Sequence, residues 1–234
     1  MKRFDGQLVF YRFARAVLVG LCYLLFRVKV IGKERVPPSG PYIVAPTHRS
    51  LVDIPLAATI TRRRIRFMGK QELWKTKFGA WLFSSLGGFP VDRSAGTGAV
   101  RAALARLADG EPVVVFPEGT RRRGRPIVDL QEGAAFLAVK AGVPVLPVGI
   151  AGTEDILPSG KVMLRPHRVT VVVGDPITPA PGTASGPARK QEVEAITRQL
   201  GSALQHLFDA AFTGRDTGHP SSGLRVGGQR GEGV

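Results

Sequence analysis

Two stretches, Tyr42-Ile43-Val44-Ala45 and Val113-Val114-Val115-Phe116, constrain the fold more than any other feature of this chain. A strand exposed on one face alternates apolar with polar residues, and a helix needs more length than this. Short unbroken apolar runs therefore predict strands buried on both faces, the kind found in sheets covered by helices on either side. Other strand-like runs lie at residues 28–32, 66–68, 143–150, 162–164 and 169–173. Helical patterns occupy residues 51–60, 96–108, 132–141 and 191–212. Residues 70–74 also open a helix, 87–93 read as a connection, and Gly142 is well placed to close the helix before it in a left-handed conformation. Strands alternating with helices predict an α/β domain with a mostly parallel sheet and helices on both faces. The last two runs are expected to add antiparallel strands at one edge. Pro144 and Pro147 argue that residues 143–150 form an edge or irregular strand, because each proline lacks a ladder N–H.

At 234 residues the chain suits one large domain. Its organisation reads as an N-terminal helical segment (1–29), an α/β domain (30–212) and a Gly/Ser/Arg-rich tail (213–234) expected to be disordered. The lone Cys22 excludes an internal disulfide or a cysteine metal cluster and suits a reducing compartment. A net charge of +15 and a pI near 11.0 imply anionic partners: a lipid surface, a phosphorylated substrate or nucleic acid. In the first segment an uninterrupted apolar run of 11 residues (16–26) is flanked by Arg12, Arg15, Arg27 and Lys29 and preceded by Phe4, Phe10, Tyr11 and Phe13. That run is shorter than the roughly 20 residues that span a bilayer. It fits a helix lying in a membrane interface with its cations at anionic headgroups, and the competing reading is a helix packed on the main domain. The cluster Arg62-Arg63-Arg64-Ile65-Arg66 reads as an electrostatic patch for a membrane or an acidic carrier.

The most chemical stretch follows the first apolar strand: His48-Arg49-Ser50-Leu51-Val52-Asp53. Histidine transfers protons near neutrality, and a carboxylate on its second nitrogen fixes the tautomer. On one ideal helix, residues five apart point about 140° from each other, so the pair meets only if His48 lies in the turn before the helix. Two capping readings compete for the same residues. Ser50 through Asp53 matches a capping box, which would put Pro55 inside the helix where its missing N–H is needed. A later start tolerates Pro55 but uses the Asp53 carboxylate.

Two more loops follow strand-like runs, one at Asp92-Arg93 and one at Glu118-Gly119-Thr120-Arg121. In open α/β sheets such loops converge on one crevice. Arg93 and Arg121 offer forked, permanently charged donors for phosphate. Gly119 allows backbone N–H groups to approach an anion closely, and Lys70 is a further phosphate candidate. There is no nucleophile elbow, phosphate loop of the Walker type or metal-ligand spacing, and His167, His206 and His219 stand alone. A His–Asp pair without an evident nucleophile favours direct attack by substrate over a covalent intermediate.

In order, His48 to Asp53, Gly88-Phe89-Pro90-Val91-Asp92-Arg93, Phe116-Pro117-Glu118-Gly119-Thr120-Arg121 and residues 143–148 resemble the four motifs of the 1-acylglycerol-3-phosphate acyltransferase (lysophosphatidic acid acyltransferase) family. Pro90 and Gln131 depart from residues frequent in that family. The resemblance implies His48 as general base with Asp53 as its partner. It implies Arg93, Glu118, Gly119, Thr120 and Arg121, with Lys70, as binders of the glycerol phosphate. It implies acyl-CoA or acyl carrier protein as donor, a lysophospholipid as acceptor, phosphatidic acid as product, and no metal or cofactor. It also implies a peripheral or monotopic seat on the cytoplasmic side of the cell membrane. A related acyltransferase for another lysophospholipid or a glycolipid is the alternative. The charge also allows a non-catalytic nucleic-acid-binding protein, but no nucleic acid is expected because no recognition motif accompanies it.

Overall fold

The apolar runs form neighbouring strands in the middle of a sheet. The protein was analysed as a computed structural model, which describes residues 6–91, 96–156, 165–182 and 185–213. In chain order the elements are α1 (Gly6–Phe26), β1 (Lys29–Ile31), β2 (Ile43–Pro46), α2 (Asp53–Ala57), β3 (Arg66–Lys70), α3 (Lys77–Ser85) and β4 (Gly88–Val91). They continue with α4 (Gly96–Ala108), β5 (Val113–Val114), α5 (Gly133–Ala141), β6 (Val145–Ala151), α6 (Thr153–Ile156), β7 (Thr170–Val173) and α7 (Gly186–Thr213). The sheet order is β1-β7-β6-β2-β5-β3-β4. The five strands from β6 to β4 are mutually parallel, β7 runs antiparallel to β6, and β1 is parallel to β7. The C-terminal ends of β2, β3, β4, β5 and β6 therefore share one edge.

Successive residues of the central strands feed two apolar layers, as pleating requires. Ile43, Ala45, Val113 and Val145 pack with α4, α5 and α7, whereas Tyr42, Val44, Val114 and Leu146 pack with α1, α2 and α6. This is the predicted arrangement of helices on both faces.

Several local expectations differ. β6 is an interior, fully buried strand and not an edge. Pro147 stands opposite Gly174, where β7 has already ended, and its carbonyl still accepts the Gly174 N–H at 2.9 Å. Its missing N–H thus falls at a gap in the ladder. β4, read as a connection, is a strand that carries Pro90 on the sheet edge, where proline is tolerated. β7 lies one strand inside the opposite edge because β1 covers it, and residues 162–164 fall outside the described part. The tail beyond residue 213 does so too. Lys70 ends β3, and a single 3-10 turn, Gln71–Trp74, follows it. The arginine cluster is mostly tied into the domain. Arg63 donates to the carbonyls of Gly40 and Gly110, Arg64 to that of Ser84, and Arg66 pairs with Glu111 at 2.6 Å.

α1 is 21 residues long, and its Leu8–Phe26 stretch is long and apolar enough to cross a membrane by length and composition. One side of it is nevertheless fastened to the domain. The Tyr11 hydroxyl accepts the Ile65 N–H at 3.1 Å, and Arg15 donates to the carbonyls of Ala58 and Thr61. Arg15 thus turns away from the headgroup role expected for it. Cys22 and Phe26 are buried on the same side, and burial pushes the Cys22 thiol pKa up, away from a reactive thiolate. The opposite side exposes Phe13 (67%) and Leu24 (76%), and α3 beside it exposes Phe78 (69%) and Trp81 (48%). The ring centroids of Phe10 and Trp81 are 4.9 Å apart, so the two helices present one continuous apolar surface.

Packing between β6 and α7 leaves no room at Gly149. A Cβ there would lie 2.5 Å from the Leu207 carbonyl carbon and 2.7 Å from the Phe208 nitrogen, both backbone atoms of a long helix. Gly149→Ala is expected to destabilise the fold by about 2–3 kcal/mol, as overpacked cores do, measured as a lower midpoint in urea unfolding.

Candidate active site

Where β2 ends, Thr47 extends the ladder with its side chain. Its N–H donates to Val148 O at 3.0 Å, and its buried Oγ1 accepts the Ile150 N–H at 2.9 Å. The chain then leaves the sheet, and His48 lies in the turn before α2, as the spacing argument required. His48 Nδ1 is 3.0 Å from Asp53 Oδ2. The same oxygen accepts the backbone N–H groups of Arg49 (2.6 Å) and Ser50 (2.7 Å). Asp53 is the first residue of α2 and fully buried.

This settles the competition between cap and pair. The helix starts late, so Pro55 is its third residue, where no helical partner awaits an N–H. The carboxylate organises the turn and meets the imidazole with one oxygen. A carboxylate oxygen only accepts, so Nδ1 is the ring nitrogen that donates to it, and Nε2 is the nitrogen left outside that bond. Nε2 has no protein partner among the described residues and is not sealed from solvent. The ring stacks on Phe116 at a centroid distance of 4.0 Å, which holds its plane.

Glu118 sits differently from the phosphate contact implied for it. It is 1% exposed, its Oε1 accepts the His48 backbone N–H at 2.8 Å, and its Oε2 meets Arg49 Nη1 at 2.5 Å. Arg49, which the sequence did not single out, is itself 3% exposed. No local pattern couples two residues 69 positions apart.

Gly119 adopts φ +67°, a conformation that favours glycine, and a Cβ there would crowd Gln131 at 3.1 Å. Its N–H donates to Phe116 O and that of Thr120 to Glu118 O, so neither is turned outward toward an oxyanion. The glycine serves the turn. Thr120 and Arg121 are exposed on this loop, and the next residue, Arg122, ties the loop to the base by donating its N–H to His48 O at 2.9 Å. Lys70 is exposed at the same sheet edge, two strands from β2, about 10 Å at ordinary strand spacing. Arg93 lies outside the described residues, but β4, which leads to it, ends at Val91 on that edge. The structure therefore joins His48, Asp53 and the 118–121 loop directly and puts Lys70 on their side of the sheet. No cluster of His, Cys, Asp or Glu suited to a metal occurs among the described residues.

Beside this edge a cavity of about 340 Å³ opens between α1, α2, β3 and α3. Its walls include Leu18, Ile54, Met68, Leu73, Trp74 and Phe83, and Ile54 directly follows Asp53. Leu18, Ile54 and Leu73 are themselves exposed, so the cavity opens at the surface there. It was not foreseen because it is assembled from four separated elements.

A family model described as "Acyltransferase" matches residues 27–151. A 1-acyl-sn-glycerol-3-phosphate acyltransferase of Bacillus subtilis (strain 168) is 30% identical over 199 residues, covering 84% of this chain and 96% of that protein. One of Chlamydomonas reinhardtii is 33% identical over 159 residues, covering 66% of this chain and 48% of its own. Among solved structures, the 1-acyl-sn-glycerophosphate (LPA) acyltransferase of Thermotoga maritima superposes with a TM-score of 0.63 at 30% identity, over 84% of this chain and 78% of that one. Its ordered motifs, parallel sheet and matches along most of its length show that this chain belongs to the 1-acylglycerol-3-phosphate acyltransferase family, the glycerophospholipid O-acyltransferases.

Proposed function

We propose that the protein moves a fatty acyl group from a thioester donor, acyl-CoA or acyl carrier protein, to the free hydroxyl of 1-acylglycerol-3-phosphate, giving phosphatidic acid. The observation that carries this reading is the His48 imidazole, held through Nδ1 by the buried Asp53 with Nε2 unoccupied. The relatives' names supply the acceptor.

In this reading the acceptor hydroxyl gives its proton to Nε2 while its oxygen bonds to the thioester carbonyl carbon. The tetrahedral intermediate then collapses, the C–S bond breaks, and the imidazolium returns the proton to the departing sulfur. The Asp53 carboxylate stabilises the imidazolium between the two transfers. Arg121, Lys70 and Arg93 are the cations proposed to hold the acceptor phosphate. Gly119 and Thr120 shape the loop that presents Arg121. The apolar cavity, which adjoins Asp53 through Ile54, takes acyl chain. α1 and α3 rest on an anionic membrane from the cytoplasmic side, with their apolar surface at the lipid and the net +15 charge drawing the protein to it. The fastening of α1 by Tyr11 and Arg15 favours a peripheral or monotopic seat over a free span.

Three outcomes test this reading. His48→Ala should lower kcat by about 10²–10⁴-fold in an acyl-transfer assay with an unchanged melting temperature; near-normal turnover would remove the base. Arg121→Ala should raise KM for lysophosphatidic acid while leaving kcat within a few-fold, and an unchanged KM would take Arg121 out of the phosphate site. Replacing Phe78 and Trp81 together by serine should weaken co-sedimentation with phosphatidylglycerol vesicles at least about tenfold, since each aromatic side chain contributes roughly 1.5–3 kcal/mol when buried. Undiminished sedimentation would dismiss that face as the membrane seat.

A further inference from the structure

We infer that Arg49 and Glu118 form a buried clamp that positions His48, acting on the base through its backbone and not on the substrate. The inference rests on the reading of His48 as general base.

Both polar groups of the His48 residue's main chain are held. Its N–H donates to Glu118 Oε1 at 2.8 Å. Its carbonyl accepts from Arg49 Nη1 at 3.2 Å and from the Arg122 N–H at 2.9 Å. The two clamp side chains close on each other, Nη1 to Oε2, with 1% and 0% of their side-chain surface exposed. Arg49 is anchored further out as well. Its Nε donates to Gly124 O at 3.1 Å and lies 3.6 Å from Glu154 Oε1, and its guanidinium stands 4.7 Å over the Phe208 ring. One side chain thus ties the turn after β2 to the loop after β5, to α6 and to α7.

A buried ion pair is a poor source of stability compared with apolar side chains of equal volume. Arg49 even leaves Nη2 buried without a partner among the described residues. What the pair supplies is direction. Its hydrogen bonds fix the peptide from which the imidazole hangs, and small displacements of a base lose rate steeply. Glu118 is also ill-suited to an anionic acceptor, since its carboxylate is sealed from solvent and both oxygens are engaged. Arg49 and Glu118 are therefore positioning residues: they set where Nε2 stands and leave acceptor binding to the exposed cations.

The experiment uses the full chain with lysophosphatidic acid and an acyl-CoA. Arg49→Lys and Glu118→Gln are each expected to lower kcat at least tenfold with both KM values within about twofold. The combined variant should lose no more than the worse single one. Spectra of ¹⁵N-histidine protein, with the His48 signals assigned by their loss in His48→Ala, should show the Nδ1–H tautomer in the parent and a mixture in both variants. A tenfold rise in acceptor KM at unchanged kcat would instead make Glu118 a substrate contact and overturn the clamp. Additive losses with an unaltered His48 spectrum would reduce the pair to a general structural role and equally overturn it. Where a single variant unfolds, Arg49→Met with Glu118→Met removes both charges together. Retained melting temperature with reduced kcat supports the clamp, and full kcat overturns it. The underlying reading fails separately: turnover surviving in His48→Ala removes the base itself, whereas an inactive His48→Ala beside fully active Arg49→Lys and Glu118→Gln removes the clamp alone.

Discussion

Everything chemical in this structure hangs on one oxygen atom. Asp53 Oδ2 collects the N–H groups of Arg49 and Ser50 and the Nδ1–H of His48 at the point where β2 ends and α2 begins. Without it the six residues between sheet and helix have no reason to turn back on themselves, and His48 would point elsewhere. The carboxylate sits at the positive end of a short helix, where its charge is favoured. A single buried acid therefore does two things usually divided between residues, closing a turn and orienting an imidazole.

The parallel sheet brings the remaining parts to that oxygen. β2 is flanked by β5 and β6, so the loop after β5 passes directly over the turn that holds His48. Thr47 locks the start of the turn to β6, and Glu118 and Arg122 lock it to the loop after β5. The outer strands β3 and β4 end on the same edge, at Lys70 and Val91. Strand order alone puts the His48–Asp53 pair at the centre of that edge and Lys70 toward one side.

What could be read from the sequence was local. The unbroken apolar runs announced β2 and β5, Gly142 announced the end of α5, and the helical angle between His48 and Asp53 required the pre-helix turn that is found. What could not be read depended on partners far along the chain. Pro147 looked unfit for an inner strand because only the assembled sheet reveals that β7 stops opposite it. Gly88 and Pro90 disguised β4, which an edge position excuses. The arginines at 63, 64 and 66 read as a surface patch, yet they answer carbonyls and a carboxylate 20 to 47 residues away. Arg49 was passed over for the same reason, its partner being Glu118. Local patterns carry backbone conformation well, but they do not record which distant carbonyl a guanidinium will find.

The helix α1 closes one wall of the apolar cavity through Tyr11, Arg15, Leu18 and Val19 while its other side is bare. The exposed apolar surface and the cavity wall are therefore two sides of one helix. In the proposed reading, where the bare side meets lipid and the cavity takes acyl chain, the two events share one helix, and any coupling between them is reciprocal.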